Sequence, residues 1–199
     1  GDPREESTRM GALVSMSQKH DVLAMVDTLA TESKIVWRDE ARVPTEGAFV
    51  SPVLLHCENP DTATEVHATE AFGPVSTVMG YRDLAHAAAL VAKGEGSLVT
   101  SLITADPAIA TAFVAEAALW NGRIYINNRH SMKESTGHGS PLPHMVHGGP
   151  GRAGGGEEMG GIRGVMHYMQ RTAIQGSPDM LTAIGQKWVP GATEVTGPA

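Results

Sequence analysis

The sequence predicts an α/β fold, a parallel sheet with flanking helices, and three observations predict it. Between Gly73 and Asn127, strand-like and helix-like segments alternate with short connections. The strand segments are rich in β-branched residues, and each helix segment begins at an aspartate suited to capping free N–H groups. Consecutive strands joined through a helix close by right-handed crossovers, which builds parallel pairing.

Taken in order, Gly1 to Met16 reads as a leading loop. "SQKHDVLAMVDTLATES" carries Val22, Val26 and Leu29 at helical spacing, with Ser17 as N-cap. "KIVW" reads as a short strand, followed by a loop through Gly47. "AFVSPVLLHC" is strand-like, and Pro52 within it argues for an edge or a bulge, because proline donates nothing to a ladder. "PVSTVMGY" is the next strand. "DLAHAAALVAKG" is a helix capped by Asp83, with Gly94 past its end. "SLVTSLIT" is a strand. "DPAIATAFVAEAALW" is a helix with Asp106 as cap, Pro107 at its first position and Ile109, Phe113, Ala117 and Trp120 along one stripe. "GRIYIN" closes the run. From Asn128 to Gly156 no period is legible, and a stretch this long inside a domain is usually functional or else a sign that elements in it are misread. A helix near Glu157 to Tyr168, a short strand "RTAIQ" and a helix "SPDMLTAIGQKW" follow, and the residues after Pro190 read as a loose tail.

Bulk properties narrow the function. The hydrophobic fraction is 41% with 19% charged residues, which suits a packed core in 199 residues. A net charge of −7 supplies no basic stripe, so nucleic acid and anionic membrane surfaces are not expected partners. No apolar run approaches a membrane span, and the first residues lack the form of a signal peptide, so a cytoplasmic location is expected. With one cysteine, Cys57, no internal disulfide can form.

Four features could carry chemistry. Gly149-Pro-Gly-Arg-Ala-Gly154 has G-x-G-x-x-G spacing, but a dinucleotide loop follows a strand directly, opens a helix and has an acidic residue about twenty positions on. Here a His/Pro/Gly loop precedes it and "QRTAIQGSP" stands where the acid should be, so a close-packed backbone turn is the better reading. His130, His138, His144 and His147 cluster in sequence, yet they lack partner cysteines and i, i+4 pairing, so no metal is expected. Cys57 ends an apolar strand with nothing beside it to favour a thiolate, which reads as structural. "EAFGPV", Glu70 to Val75, is the most specific short motif.

That motif, followed by the alternating run, resembles the later part of the catalytic domain of aldehyde dehydrogenases. "GDP…MGALVS" resembles the segment that leaves the nucleophile region in that superfamily. "AGGGEEMG" stands where the family has Ser-Gly-x-Gly-Arg-Glu-x-Gly, with Ala153 in place of Ser and Glu157 in place of Arg. "HATEAFGPV", "KESTGHGSPLPHMVHGGPGRAGGGEEMGG" and "HYMQRTAIQGSP" closely resemble the bifunctional branch of phenylacetate degradation, in which a dehydrogenase is joined to a downstream hydratase domain.

The resemblance implies an NAD- or NADP-dependent oxidoreductase acting on a CoA-linked semialdehyde, with the long loop near the active-site side. It implies that Glu70 accepts hydrogen bonds from the nicotinamide-ribose hydroxyls and that Phe72 packs beside the nicotinamide ring. The family's nucleophilic cysteine, glutamate base, oxyanion-hole asparagine and dinucleotide domain correspond to segments upstream of this chain. No catalytic residue is therefore expected here, and the isolated chain is expected to be inactive. Residues 1–168 would be the C-terminal part of the catalytic domain, 169–190 an oligomerisation strand and terminal helix, and 191–199 the tail. "RTAIQ" resembles the strand that joins sheets between subunits, which implies a homo-oligomer. A non-catalytic assembly module, or a dehydrogenase with another substrate, is the rival reading.

Overall fold

The computed structural model describes residues 1–133, 135, 137, 145–157, 161–170 and 172–193. The first helix, α1 (Met16–Leu29), buries the predicted stripe Val22, Val26 and Leu29. Its cap is Ser15, not Ser17: the Ser15 hydroxyl accepts the Gln18 N–H, which leaves Ser17 inside the first turn. Strand β1 (Lys34–Arg38) pairs antiparallel with β2 (Val53–Cys57), and β2 pairs in parallel with β3 (Val75–Met79). Pro52 lies just before β2, which is the centre of this three-stranded sheet and not an edge. The irregular register falls on β1 instead, between Ile35 and Trp37. Proline is accommodated because the ladder begins one residue later, at Val53.

Val26, Leu29, Val53 and Leu55 form the core between α1 and this sheet, with Val66 and Val75 packed against it. Full burial of each such side chain contributes about 1.5–3 kcal/mol. The one-turn helix α2 (Glu65–Ala68) lies between β2 and β3.

Helix α3 (Leu84–Ala92) is capped by Asp83 as the sequence predicts, and α4 (Pro107–Ala117) by Asp106 with Pro107 in its first turn. Phe113 and Ala117 of the predicted stripe are buried, whereas Ile109 is exposed. Strand β4 (Ser97–Ile103) pairs in parallel with β5 (Asn121–Asn127).

The single parallel sheet expected across this run divides in two. Among the described residues β3 has no ladder with β4, so the strands form the β1–β2–β3 and β4–β5 sheets. A cleft of about 600 Å³ opens beside them, lined by Met79, Tyr81, Leu90, Leu102, Ile103 and Phe113 among others.

Within the stretch that showed no period, β6 (Val146–Gly148) and β7 (Gly155–Glu157) form an antiparallel hairpin. Glycine has little intrinsic strand preference, which hid it. Helix α5 (Gly161–His167) and helix α6 (Pro178–Gly185) follow. Thr172–Gln175 of the expected strand "RTAIQ" has no ladder, because a strand exists only where a partner edge meets it, while Arg171 lies outside the described residues. The end of the expected tail, residues 194–199, also lies outside them.

Candidate functional site

Glu70 and Phe72 lie on the loop between α2 and β3, and both side chains are exposed. Phe72 is 72% exposed, unusual for an aromatic residue with a core nearby. Its backbone has φ 48°, the left-handed region that costs a non-glycine residue energy unless its surroundings enforce it.

Two contacts enforce it. The Gln18 side-chain amide donates to the Phe72 carbonyl at 2.9 Å, while its oxygen accepts the Val14 N–H at 3.0 Å, so both ends of the amide are used. Gly73, the next residue, lies directly against Val22, where an added Cβ would stand 2.7 Å from a valine methyl. Strand β3 then starts in register, with the Pro74 carbonyl accepting the Val53 N–H at 2.8 Å. The loop is thus tied to α1 and to the central strand, with a carboxylate and an aromatic ring facing solvent.

The other end of the loop is α2. A helix of four residues makes almost no internal ladder, so its terminal groups need outside partners. The Glu32 carboxylate accepts the Thr64 N–H at 2.9 Å and the Glu65 N–H at 2.7 Å. Arg152 donates to the His67 carbonyl at 3.0 Å, the Ala68 carbonyl at 3.3 Å and the Gly94 carbonyl at 3.0 Å.

Behind α2 sits a charged cluster. Asp61 accepts from Arg82 and from His86 Nε2, each at 2.9 Å, and its backbone carbonyl accepts from Lys93. The Arg82 backbone N–H donates to His86 Nδ1 at 3.0 Å, which places the ring proton on Nε2, facing Asp61. The Arg82 guanidinium first, and then His86, hold the Asp61 carboxyl below its ordinary value of 3.8.

The G-x-G-x-x-G stretch has a structural use. Gly151–Ala153 is a single 3-10 turn between β6 and β7, and no helix opens there to receive a phosphate. Its backbone lies against the starts of β4 and β5: a Cβ on Gly96 would be 2.0 Å from the Pro150 carbonyl oxygen. One on Gly122 would be 2.2 Å from that of Ala153, and one on Gly151 would be 2.4 Å from that of Glu95. Ala153 itself is fully buried, so the small side chain at that position fits the contact.

Of the other candidates, Cys57 is 1% exposed at the end of β2, closed off from a substrate. Among the described residues no three His, Cys, Asp or Glu side chains gather; His138 and His144 lie outside them, as does the Glu157 side chain. Gln18, Glu32 and Arg152 were not legible as site residues. Their partners lie 32 to 85 residues away, and no local pattern marks such contacts.

Comparison with known proteins gives the family of the chain. The aldehyde dehydrogenase family profile matches residues 1–174. The chain is 56% identical over 184 residues to Protein MaoC of Klebsiella aerogenes, covering 92% of this chain and 55% of that protein. It is 36% identical over 156 residues to a 3,4-dehydroadipyl-CoA semialdehyde dehydrogenase of Aromatoleum evansii, covering 75% of this chain and 30% of that one. The chain therefore spans about half of one relative's length and under a third of the other's. In fold it is similar to PnpE from Pseudomonas sp. WBC-3, with a TM-score of 0.62 at 24% identity over 80% of this chain and 31% of that one. By the profile that spans most of its length and by these relatives, the chain belongs to the aldehyde dehydrogenase family.

Proposed function

We propose that this chain is part of an NAD- or NADP-dependent dehydrogenase that oxidises a CoA-linked semialdehyde to the acid in phenylacetate degradation. The observation that carries the reading is the Glu70–Phe72 loop, where an exposed carboxylate and an exposed aromatic ring stand on a strained, pinned backbone. The residues fit the cofactor. Glu70 would accept hydrogen bonds from the nicotinamide-ribose diol, and charge assistance makes such bonds the strong ones. Phe72 would lie against the flat nicotinamide ring. When bound, the dinucleotide supplies the hydride acceptor, and these two residues hold it in line with the aldehyde carbon.

The nucleophilic cysteine, general base and dinucleotide domain would come from further sequence of the same polypeptide; buried Cys57 does not fill the first role. Residues 1–168 would complete the catalytic domain, and 169–190 would join subunits of a homo-oligomer. The CoA-linked substrate is supported by similarity to the Aromatoleum evansii dehydrogenase that is named for one.

The test is Glu70→Gln in the intact enzyme, assayed with a CoA-bearing semialdehyde and with the same aldehyde lacking CoA. Losing a charged acceptor should raise the KM for the dinucleotide by about tenfold, with the aldehyde KM unchanged. An unchanged cofactor KM and hydride-transfer rate would remove Glu70 from the site. Equal efficiency on the two aldehydes would remove the CoA preference.

A further inference from the structure

We infer that Glu32 and Arg152 are positioning residues for the Glu70–Phe72 loop, and that the glycine hairpin exists to hold Arg152 in place. The inference rests on the cofactor role proposed for that loop. It comes from the two ends of α2, the short helix that launches the loop.

At the N-terminal end, Glu32 reaches from beyond α1 and its carboxylate accepts the N–H groups of Thr64, Glu65 and Val66. These are donors that a one-turn helix cannot satisfy internally. At the other end, Arg152 donates to the carbonyls of His67 and Ala68, the last helical residues before Thr69 and Glu70. A fork of planar donors suits several carbonyls at once, which a flexible ammonium matches less well.

Arg152 also donates to the Gly94 carbonyl at the exit of α3, so α2 and α3 share one anchor. The anchor is fixed by backbone contact. Gly96 against Pro150, Gly151 against Glu95 and Gly122 against Ala153 lie too close for any Cβ between them. The hairpin tip therefore cannot slide along the sheet without meeting backbone atoms. Thr69 adds one more tie, its hydroxyl donating to the Glu65 carboxylate at 2.7 Å. With Gln18 holding the Phe72 carbonyl, the segment is held at both ends, with Glu70 on the span between and Phe72 at its pinned end.

The experiment uses the intact enzyme with Arg152→Met, Arg152→Lys, Glu32→Gln and, in parallel, Glu70→Gln. Two quantities are read: hydrogen exchange of amides in residues 65–73, and KM for the dinucleotide against kcat and aldehyde KM. Arg152→Met should speed exchange in that segment while the β2 amides keep their protection, because the loss is local. It should raise the cofactor KM by roughly three- to tenfold with the aldehyde KM unchanged. Arg152→Lys should recover part of both effects. Glu32→Gln, which keeps an acceptor oxygen, should show the milder form if Arg152→Met fails to fold.

Unchanged exchange in folded variants would overturn the inference whatever the cofactor does. Faster exchange with an unchanged cofactor KM, while Glu70→Gln raises it, would overturn the functional part of the positioning role alone. Faster exchange with no KM response from any variant, Glu70→Gln included, would sink the cofactor reading and this inference with it.

Discussion

At the scale of single residues, the site depends on backbone states that few residue types tolerate. Phe72 at φ 48° is strained, and Gln18 and Gly73 are what keep it there. Glycines at the hairpin contacts act by having no side chain. Gly96, at φ 124°, faces the Pro150 carbonyl oxygen 2.0 Å from where a Cβ would stand. Gly96→Ala should cost about 2 kcal/mol or more, since both the dihedral and the overlap oppose it. Gly80, with nothing within 4 Å of its Cβ position, is the control, and Gly80→Ala should change stability little. Denaturant melts of the two variants would check this, and equal midpoints would refute the close-packing argument.

At the scale of elements, caps and charged ties decide where segments begin. Asp83 and Asp106 were legible because an acid before an apolar period is a local signal. The cap of α1 was displaced by two residues because Ser15 and Ser17 are chemically equivalent in sequence and only the Gln18 N–H chooses between them. The Asp61–Arg82–His86 cluster joins the turn after β2 to the start of α3. Its folded Asp61 carboxyl lies below the unfolded value, so its stabilising effect is complete above the ordinary 3.8 and is lost as pH falls through the folded value. Asp61→Asn should therefore flatten the acid limb of the stability profile below about pH 4 relative to the parent protein. A parallel acid limb in thermal melts taken from pH 2 to 7 would contradict the assignment. The hairpin β6–β7 left no such local signal, because half of its strand residues are glycine and its tip lies against the starts of β4 and β5.

At the scale of the whole molecule, large apolar side chains remain on the surface: Val78 on β3, Leu98 and Ile103 on β4, and Ile174 beyond α5. Ile174 is the one of these that lies on the segment proposed to join subunits. In the proposed homo-oligomer, Thr172–Gln175 would meet a partner edge and cover the exposed Ile174. Ile174→Asp in the intact enzyme should then lower the mass measured by light scattering, since an unpaired charge at such an interface is costly. An unchanged mass would remove that segment from the interface.

The sequence by itself determined the elements whose causes are local: helices α1, α3 and α4 from apolar spacing, and strands β3 to β5 from β-branched runs. It also marked the G-x-G-x-x-G stretch as a packing device, because the features a phosphate needs are missing around it. Tertiary structure alone decided that β3 and β4 belong to separate sheets and that β2 is central. It alone brought Gln18, Glu32 and Arg152 to the ends of one loop. The physical reason is that periodicity and capping act over a few residues, whereas strand order and remote hydrogen bonds are fixed only when distant segments are packed together.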